Sequence, residues 1–369
     1  MSKVGEIKSL TGVRGVAALY VVAYHFCGPG DFTSPLRSFV AHGYLAVDLF
    51  FVLSGFVMAL NYSNLFKDGF SPSLMWKFIV RRIARIYPLY IACTLCFAFR
   101  DLFKHIDGLG RREILKSLLL DLAMVQTWGL GKSLDPASWS ISCEWAAYLL
   151  FPIVLWLGFY TTDARARIAT VVSVVCIAAL ASIPQDIAQR NVPGALLNFA
   201  GYQFAFPVMR CIPEFTIGVV CAKMYMSRRS DRFFGHRYVS ELIVATVLLL
   251  LLVKWTDVLI VGLFPLLVLA LASERSLSGR LLGSAVFNRL GILSYGVYLI
   301  HMFIGDTSQR VDVLEGRLEI RIPFAHLVGL LVGFSITVIL AQIAFWLIER
   351  PGRRLIRRWS EPPLLHEPT

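Results

Sequence analysis

Apolar residues gather in long runs along this chain, and short polar segments separate them. A helix needs roughly 20 apolar residues to cross a hydrocarbon core about 30 Å thick. By that measure the pattern predicts about ten spans. They fall near 10–28, 39–61, 84–100, 139–160, 167–183, 204–226, 239–254, 257–273, 287–305 and 323–348. The expected fold is therefore all-α, a polytopic integral membrane helical bundle. A shorter apolar piece at 114–128 reads as a re-entrant or surface helix. No large soluble domain, low-complexity linker or repeat interrupts the runs, so 1–369 is expected to be a single transmembrane domain with no fused soluble domain. No small-residue cleavage site follows the first run, which reads as an uncleaved span rather than a signal peptide.

The basic residues decide the orientation. Lys77 to Arg85, Arg228 to Arg237, Arg275 to Arg280 and the tail from Arg350 to Arg358 all fall on one side of a ten-span bundle. Cytoplasmic loops carry the excess of Lys and Arg, so both termini are expected in the cytoplasm. The stretch 101–138 dissents, with Lys104, Arg111, Arg112, Lys116 and Lys132 on the other side.

Composition agrees with the runs. The chain is 57% hydrophobic and only 16% charged, where a soluble domain carries about a quarter charged residues. The net charge of +12 is accounted for by anionic lipid headgroups and membrane insertion, so no nucleic-acid partner is expected. Seven cysteines are scattered, mostly inside apolar runs. Cys93 and Cys96 form a lone C-x-x-C within a span, where packing explains them better than metal or redox chemistry; no metal site is expected.

Ionisable groups inside spans are costly and face the bundle interior or a water-filled cavity. Arg14 and His25 lie eleven residues apart in the first span, on one helix face and about 16 Å apart along the axis. Taken singly, Arg14 could snorkel to headgroups and His25 could be a satisfied interior histidine. Asp48 lies within apolar sequence in the second span and needs a partner. Spans one and two are antiparallel neighbours, so Asp48 is expected to approach His25 and orient its imidazole. A pairing with a nearby hydroxyl or arginine is an equal alternative. Arg82 and Arg85 share a helix face before the third span, and their forked donors suit phosphate oxygens; a topogenic basic cluster is the plain alternative. Glu144, opening the fourth span, is a further buried acid expected near the level of His25. Tyr295, Tyr298 and His301 cluster near a span end, where an aromatic belt alone would explain the tyrosines. Pro213-Glu214 is either a helix break or a site wall.

Several of these motifs, in order, resemble the acyltransferase-3 family of membrane proteins. Leu10 to Ala18 with His25 is similar to its Arg-x10-His signature. Asp48 to Gly55 resembles its second-span block, and Arg82 with Arg85 its R-x-x-R element. Ser138 to Glu144 resembles its Ser-Trp-Ser block, and Ser294 to His301 its late Ser-Tyr block. Trp145 stands where relatives often have a second Glu, which argues against paired carboxylates. Some relatives carry a fused extracytoplasmic domain; here a partner enzyme would take that role, or none is needed.

The resemblance implies transfer of an acyl group, chiefly acetyl, from acyl-CoA (acetyl-CoA) to a hydroxyl. The acceptor would be a carbohydrate such as an O-antigen, exopolysaccharide or lipo-oligosaccharide, in a bacterial inner membrane. Arg14, Arg82 and Arg85 would hold the donor, and His25, Asp48 and Glu144 would supply the catalytic groups. His25 would act as general base or form an acyl intermediate. No G-x-S-x-G elbow and no H-E-x-x-H motif is present, which disfavours serine-hydrolase and zinc chemistry. The rival is a multispan transporter using Arg14, His25, Asp48 and Glu144 as a proton or substrate pathway. It would show inverted repeats with broken helices, and neither is found in the sequence.

Overall fold

The computed structural model describes residues 6–28, 33–104, 110–188, 190, 192, 194–199, 204–230, 234, 236–274, 276–305 and 325–360. Regular structure among them is helical apart from one isolated bridge between Arg190 and Phe199. Besides short helical turns at His42–Leu45, Ser63–Leu65 and Gln185–Ala188, the helices are α1 (Lys8–Phe26), α2 (Pro35–Ala41), α3 (Ala46–Tyr62), α4 (Pro72–Lys104), α5 (Arg111–Leu122), α6 (Trp139–Leu155) and α7 (Asp163–Ala181). They continue with α8 (Phe206–Met226), α9 (Arg237–Leu250), α10 (Asp257–Ala272), α11 (Leu277–Leu282), α12 (Ala285–Ile304), α13 (Ala325–Ala344) and α14 (Arg350–Ser360). π-helical turns extend α6 over Trp156–Tyr160 and join α13 to α14 over Phe345–Glu349.

Every apolar run expected to span holds helix, and among the described residues five stretches are long and apolar enough to cross a membrane. These are Pro35–Leu65, Pro72–Phe103, Trp139–Tyr160, Asp163–Ala181 and Leu327–Arg358. Two of the remaining apolar helices are short: α9 has 14 residues and α10 has 16. The other three, α1, α8 and α12, carry interior polar groups such as Arg14, Arg210, Glu214 and His301. The polar helices sit where protein rather than lipid surrounds them. α1 packs along α12, and α8 packs along α3. The apolar window of Pro35–Leu65 is 83% buried, against 28% for that of Asp163–Ala181. The expected 114–128 element is α5, whose 12 residues rise only about 18 Å, too short to cross. It is pinned to α4 instead: the Tyr87 hydroxyl donates to the Leu122 carbonyl (3.0 Å) and that of Tyr90 to the Asp121 carbonyl (2.8 Å).

Small residues bring the central helices together, as in membrane bundles where close backbone approach drives association. A Cβ at Gly55 of α3 would collide with the Phe215 carbonyl of α8, and one at Gly218 with the Val52 carbonyl. Gly15 and Gly291 do the same for α1 and α12. A buried network joins the end of α2 to α9 and α10. His42 Nδ1 lies 2.8 Å from the Ser38 carbonyl and 2.9 Å from that of Leu251, while its Nε2 faces Asp257 at 3.2 Å. The Tyr44 hydroxyl and the Leu197 amide (3.1 Å) donate to the other Asp257 oxygen.

Candidate active site

Helices α1, α3, α4, α6, α12 and α14 enclose a cavity of about 770 Å³. Six guanidinium groups line it: Arg14 from α1, Arg81, Arg82 and Arg85 from α4, and Arg353 and Arg357 from α14. Glu144 of α6 is the one acid among its described lining residues. The 3.6-residue period places Arg82 and Arg85 on one face of α4, and that face turns to the cavity. The sequence expected Arg14, Arg82 and Arg85 to act together, and the structure brings them to one wall.

Each arginine is held differently. Arg82 donates from Nη2 to the Tyr62 hydroxyl (2.7 Å) and lies over the rings of Tyr62 (5.0 Å) and Tyr148 (6.0 Å). Stacking on aromatic faces orients a guanidinium without neutralising it. Arg85 and Arg353 flank Glu349, each at 3.9 Å. Arg14 makes no hydrogen bond or ion pair among the described residues, but lies within electrostatic range of Arg85, Glu144, Tyr148 and Arg82. Glu144 accepts a hydrogen bond from the Ser54 hydroxyl, which also contacts the Tyr148 hydroxyl at 3.4 Å. Glu144 thus sits among the arginines, where the sequence had put it at the level of His25.

The inner wall is Tyr298, whose hydroxyl accepts from Ser140 (2.9 Å). His301 lies almost one turn further along α12, with its ring centroid 5.9 Å from that of Tyr298 and 5.0 Å from that of His25. The two histidines therefore form a pair just past the cavity wall. His25 stands exposed in the last turn of α1 and His301 is wholly buried. His301 Nδ1 approaches the Tyr298 carbonyl at 2.6 Å. A carbonyl can only accept, so Nδ1 carries a proton, which in the neutral ring leaves the lone pair on Nε2. That Nε2 is buried without a hydrogen-bond partner among the described residues.

For Asp48 the structure takes the second of the two pairings that the sequence left open. Its carboxylate pairs with Arg210 Nε at 3.1 Å, not with His25, and Glu214 lies against both. Arg210 also donates to the Leu197 carbonyl and lies 5.4 Å over the Trp139 ring. Helix α8 crosses close on α3 because Gly55 and Gly218 permit it, and this packing carries Arg210 to Asp48 before α1 can offer His25. Arg210 was missed by the sequence reading, although it stands four residues before Glu214 on one helix face, a usable signal. Arg353 and Arg357 were seen there only as part of a basic tail, and nothing in the sequence marked Tyr62 or Tyr148.

Long apolar helices, buried charge, a guanidinium-lined cavity and a histidine pair beyond its wall define an all-helical membrane protein with a polar interior site. Residues 7–346 match the family model described as an acyltransferase domain, and the chain belongs to this acyltransferase-3 family. It is 30% identical over 323 residues to the acyltransferase MdmB of Streptomyces mycarofaciens, covering 82% of this chain and 80% of that protein. It is also 27% identical to YrhL of Bacillus subtilis (strain 168), which its name assigns to peptidoglycan O-acetylation. That match covers 98% of this chain but 57% of YrhL. No solved structure matches the chain.

Proposed function

We propose that this protein transfers an acetyl group from acetyl-CoA, bound from the cytoplasm, to a hydroxyl of a carbohydrate acceptor at the opposite membrane face. The observation that carries the reading is one cavity with guanidinium groups along its walls and Tyr298, His301 and His25 in series at its inner end. Phosphates of the donor dock on Arg82 and Arg85, with Arg14 further in, since forked guanidinium donors match phosphate oxygens. The thioester reaches inward towards Tyr298. His25, the exposed member of the pair, takes the proton of the acceptor hydroxyl. The hydroxyl oxygen attacks the thioester carbonyl carbon, the C–S bond breaks, and the proton held by His25 passes to the departing thiolate, which leaves as free CoA. His301 presents its buried ring to His25 and is a positioning residue. Asp48 acts at a distance, by holding α3 to α8, and Glu144 by orienting Ser54 and Tyr148 within the arginine wall.

In this reading the chain is one domain of ten crossings in a bacterial inner membrane, with both termini in the cytoplasm. That places the basic segments, including α14, beside the cytoplasmic pool of acyl-CoA. A cell-envelope glycan, as the name of YrhL indicates for that protein, is the acceptor class.

The test supplies labelled acetyl-CoA to membranes containing wild type or His25→Ala at equal levels, and mass spectrometry follows label into envelope carbohydrate. Label is expected in the wild type and reduced by about 100- to 10,000-fold in the variant, the range a general base contributes. Equal labelling would remove His25 from the chemistry.

A further inference from the structure

Attack of a hydroxyl on a thioester builds negative charge on the carbonyl oxygen, and a buried site stabilises that charge with hydrogen-bond donors already in place. Five hydroxyl groups line the cavity from α6 and α12: Ser140, Tyr148, Ser294, Tyr295 and Tyr298. Four of them have engaged their protons. Ser294 donates to the Gly291 carbonyl (2.8 Å) and Tyr295 to the Ile86 carbonyl (2.7 Å). Tyr148 is hydrogen-bonded to Glu144, and Ser140 donates to the Tyr298 hydroxyl (2.9 Å). Tyr298 thus receives a hydrogen bond, while its own O–H meets no acceptor among the described residues.

Three helices fix where that O–H stands. Tyr298 belongs to α12, its hydroxyl is met by Ser140 of α6, and its ring packs edge-on against Phe50 of α3 with centroids 6.0 Å apart. The side chain is buried, so it is held in one place before any ligand arrives. Its backbone carbonyl receives Nδ1 of His301, which stacks its ring beside that of His25. One residue therefore joins the cavity wall to the histidine pair. A hydroxyl that accepts a hydrogen bond also donates a stronger one, because each bond in a chain polarises the next. In surroundings poor in water such a donor acts on a developing charge with little screening.

We propose that Tyr298 is a catalytic residue, the donor that stabilises the oxyanion of the transfer, and that Ser140 is its positioning residue. The inference deepens the acetyl-CoA reading above and rests on it. As the acceptor oxygen bonds to the carbonyl carbon, the π pair of the C=O bond moves onto its oxygen. Tyr298 donates a hydrogen bond to that oxygen and keeps its proton. When the intermediate collapses, the C=O bond re-forms, the C–S bond breaks, and the thiolate leaves with the proton that His25 took up. Tyr298 is neither acylated nor deprotonated at any point. Two groups in series then act on two oxygens, Tyr298 on that of the thioester and His25 on that of the acceptor.

The test measures transfer of labelled acetyl from acetyl-CoA to envelope carbohydrate, together with calorimetric CoA binding and thermal unfolding of the purified full chain. Tyr298→Phe keeps the ring and removes only the donor. It is expected to lower kcat by about 100- to 1,000-fold, the worth of one oxyanion donor, with CoA affinity and melting temperature close to wild type. Ser140→Ala should lower kcat by about 2- to 10-fold. The double variant should be no slower than Tyr298→Phe, because Ser140 acts through Tyr298 alone. A wild-type kcat in Tyr298→Phe would overturn the assignment and leave the acetyl-CoA reading standing. A loss of CoA affinity that accounts for the whole effect would also overturn it, by making Tyr298 a binding residue. If Tyr298→Phe does not fold, Ser140→Ala decides: an unchanged kcat in the folded variant overturns the pair. If wild type transfers no label, the acetyl-CoA reading falls and this inference with it.

Discussion

Around Asp48, one arginine meets two carboxyl groups, and around Asp257, a histidine and a tyrosine close on one. Arg210 stands 3.1 Å from Asp48 and His42 3.2 Å from Asp257, and none of these side chains lines the cavity. The arginine wall is arranged otherwise. Its ion pairs, Arg85–Glu349 and Arg353–Glu349, are 3.9 Å long, and its cations outnumber its acids. Burying a charge is tolerable when a partner meets it in place and costly when none does. The first arrangement therefore holds helices together, and the second is the one the proposed function uses to bind its donor. Charge inside a membrane bundle is thus not a single signal of function; what separates the cases is how closely opposite groups meet and whether the two signs balance.

The comparison can be broken most forcefully at Arg210. Arg210→Met leaves Asp48 and Glu214 buried without their cation and is expected to cost about 3–5 kcal/mol of stability. Thermal unfolding in detergent measures this, and CoA affinity of the protein that stays folded should match wild type. A stable Arg210→Met protein with weakened CoA binding would place the sealed cluster in the donor site and erase the distinction. Arg82→Gln probes the other side. It should weaken CoA binding by about 10- to 100-fold, the worth of a charged hydrogen bond, and leave the melting temperature unchanged or higher, because it relieves repulsion from Arg14 and Arg85. A large loss of stability instead would make the arginine wall structural. The finest test is Tyr62→Phe, which removes only the acceptor that fixes Arg82 at 2.7 Å. Looser orientation should raise KM for the donor about 2- to 10-fold with little change in kcat; an unchanged KM would mean that stacking on Tyr62 and Tyr148 suffices.

Much of this was legible in the residues. Runs of apolar sequence marked every helix later found to be long and apolar enough to cross, because a bilayer demands about 20 such residues in succession. The spacing of Arg82 and Arg85 put them on one face, since that is a property of the helix alone. The eleven-residue interval likewise put Arg14 and His25 at two levels of one helix, and they now mark the cavity wall and the pair beyond its inner end. The pairing of Asp48 was not legible. Several acids, bases and hydroxyls stood within reach of it in principle, and the sequence left His25 and a hydroxyl or arginine as equal alternatives.

The sequence by itself determined which segments are helical, which carry charge into the apolar interior, and which face of each helix those charges share. These follow from local geometry and from the cost of exposing peptide groups to lipid. Only the tertiary structure decided who meets whom. Gly55 and Gly218 let α8 close on α3 and deliver Arg210 to Asp48, while Gly352 lets α14 reach Pro88 and turn two tail arginines into a cavity wall. His301 was set beside His25 in the same way, by Gly15 and Gly291 drawing α1 onto α12. Close approach between helices depends on both surfaces at once, and no single segment contains that information.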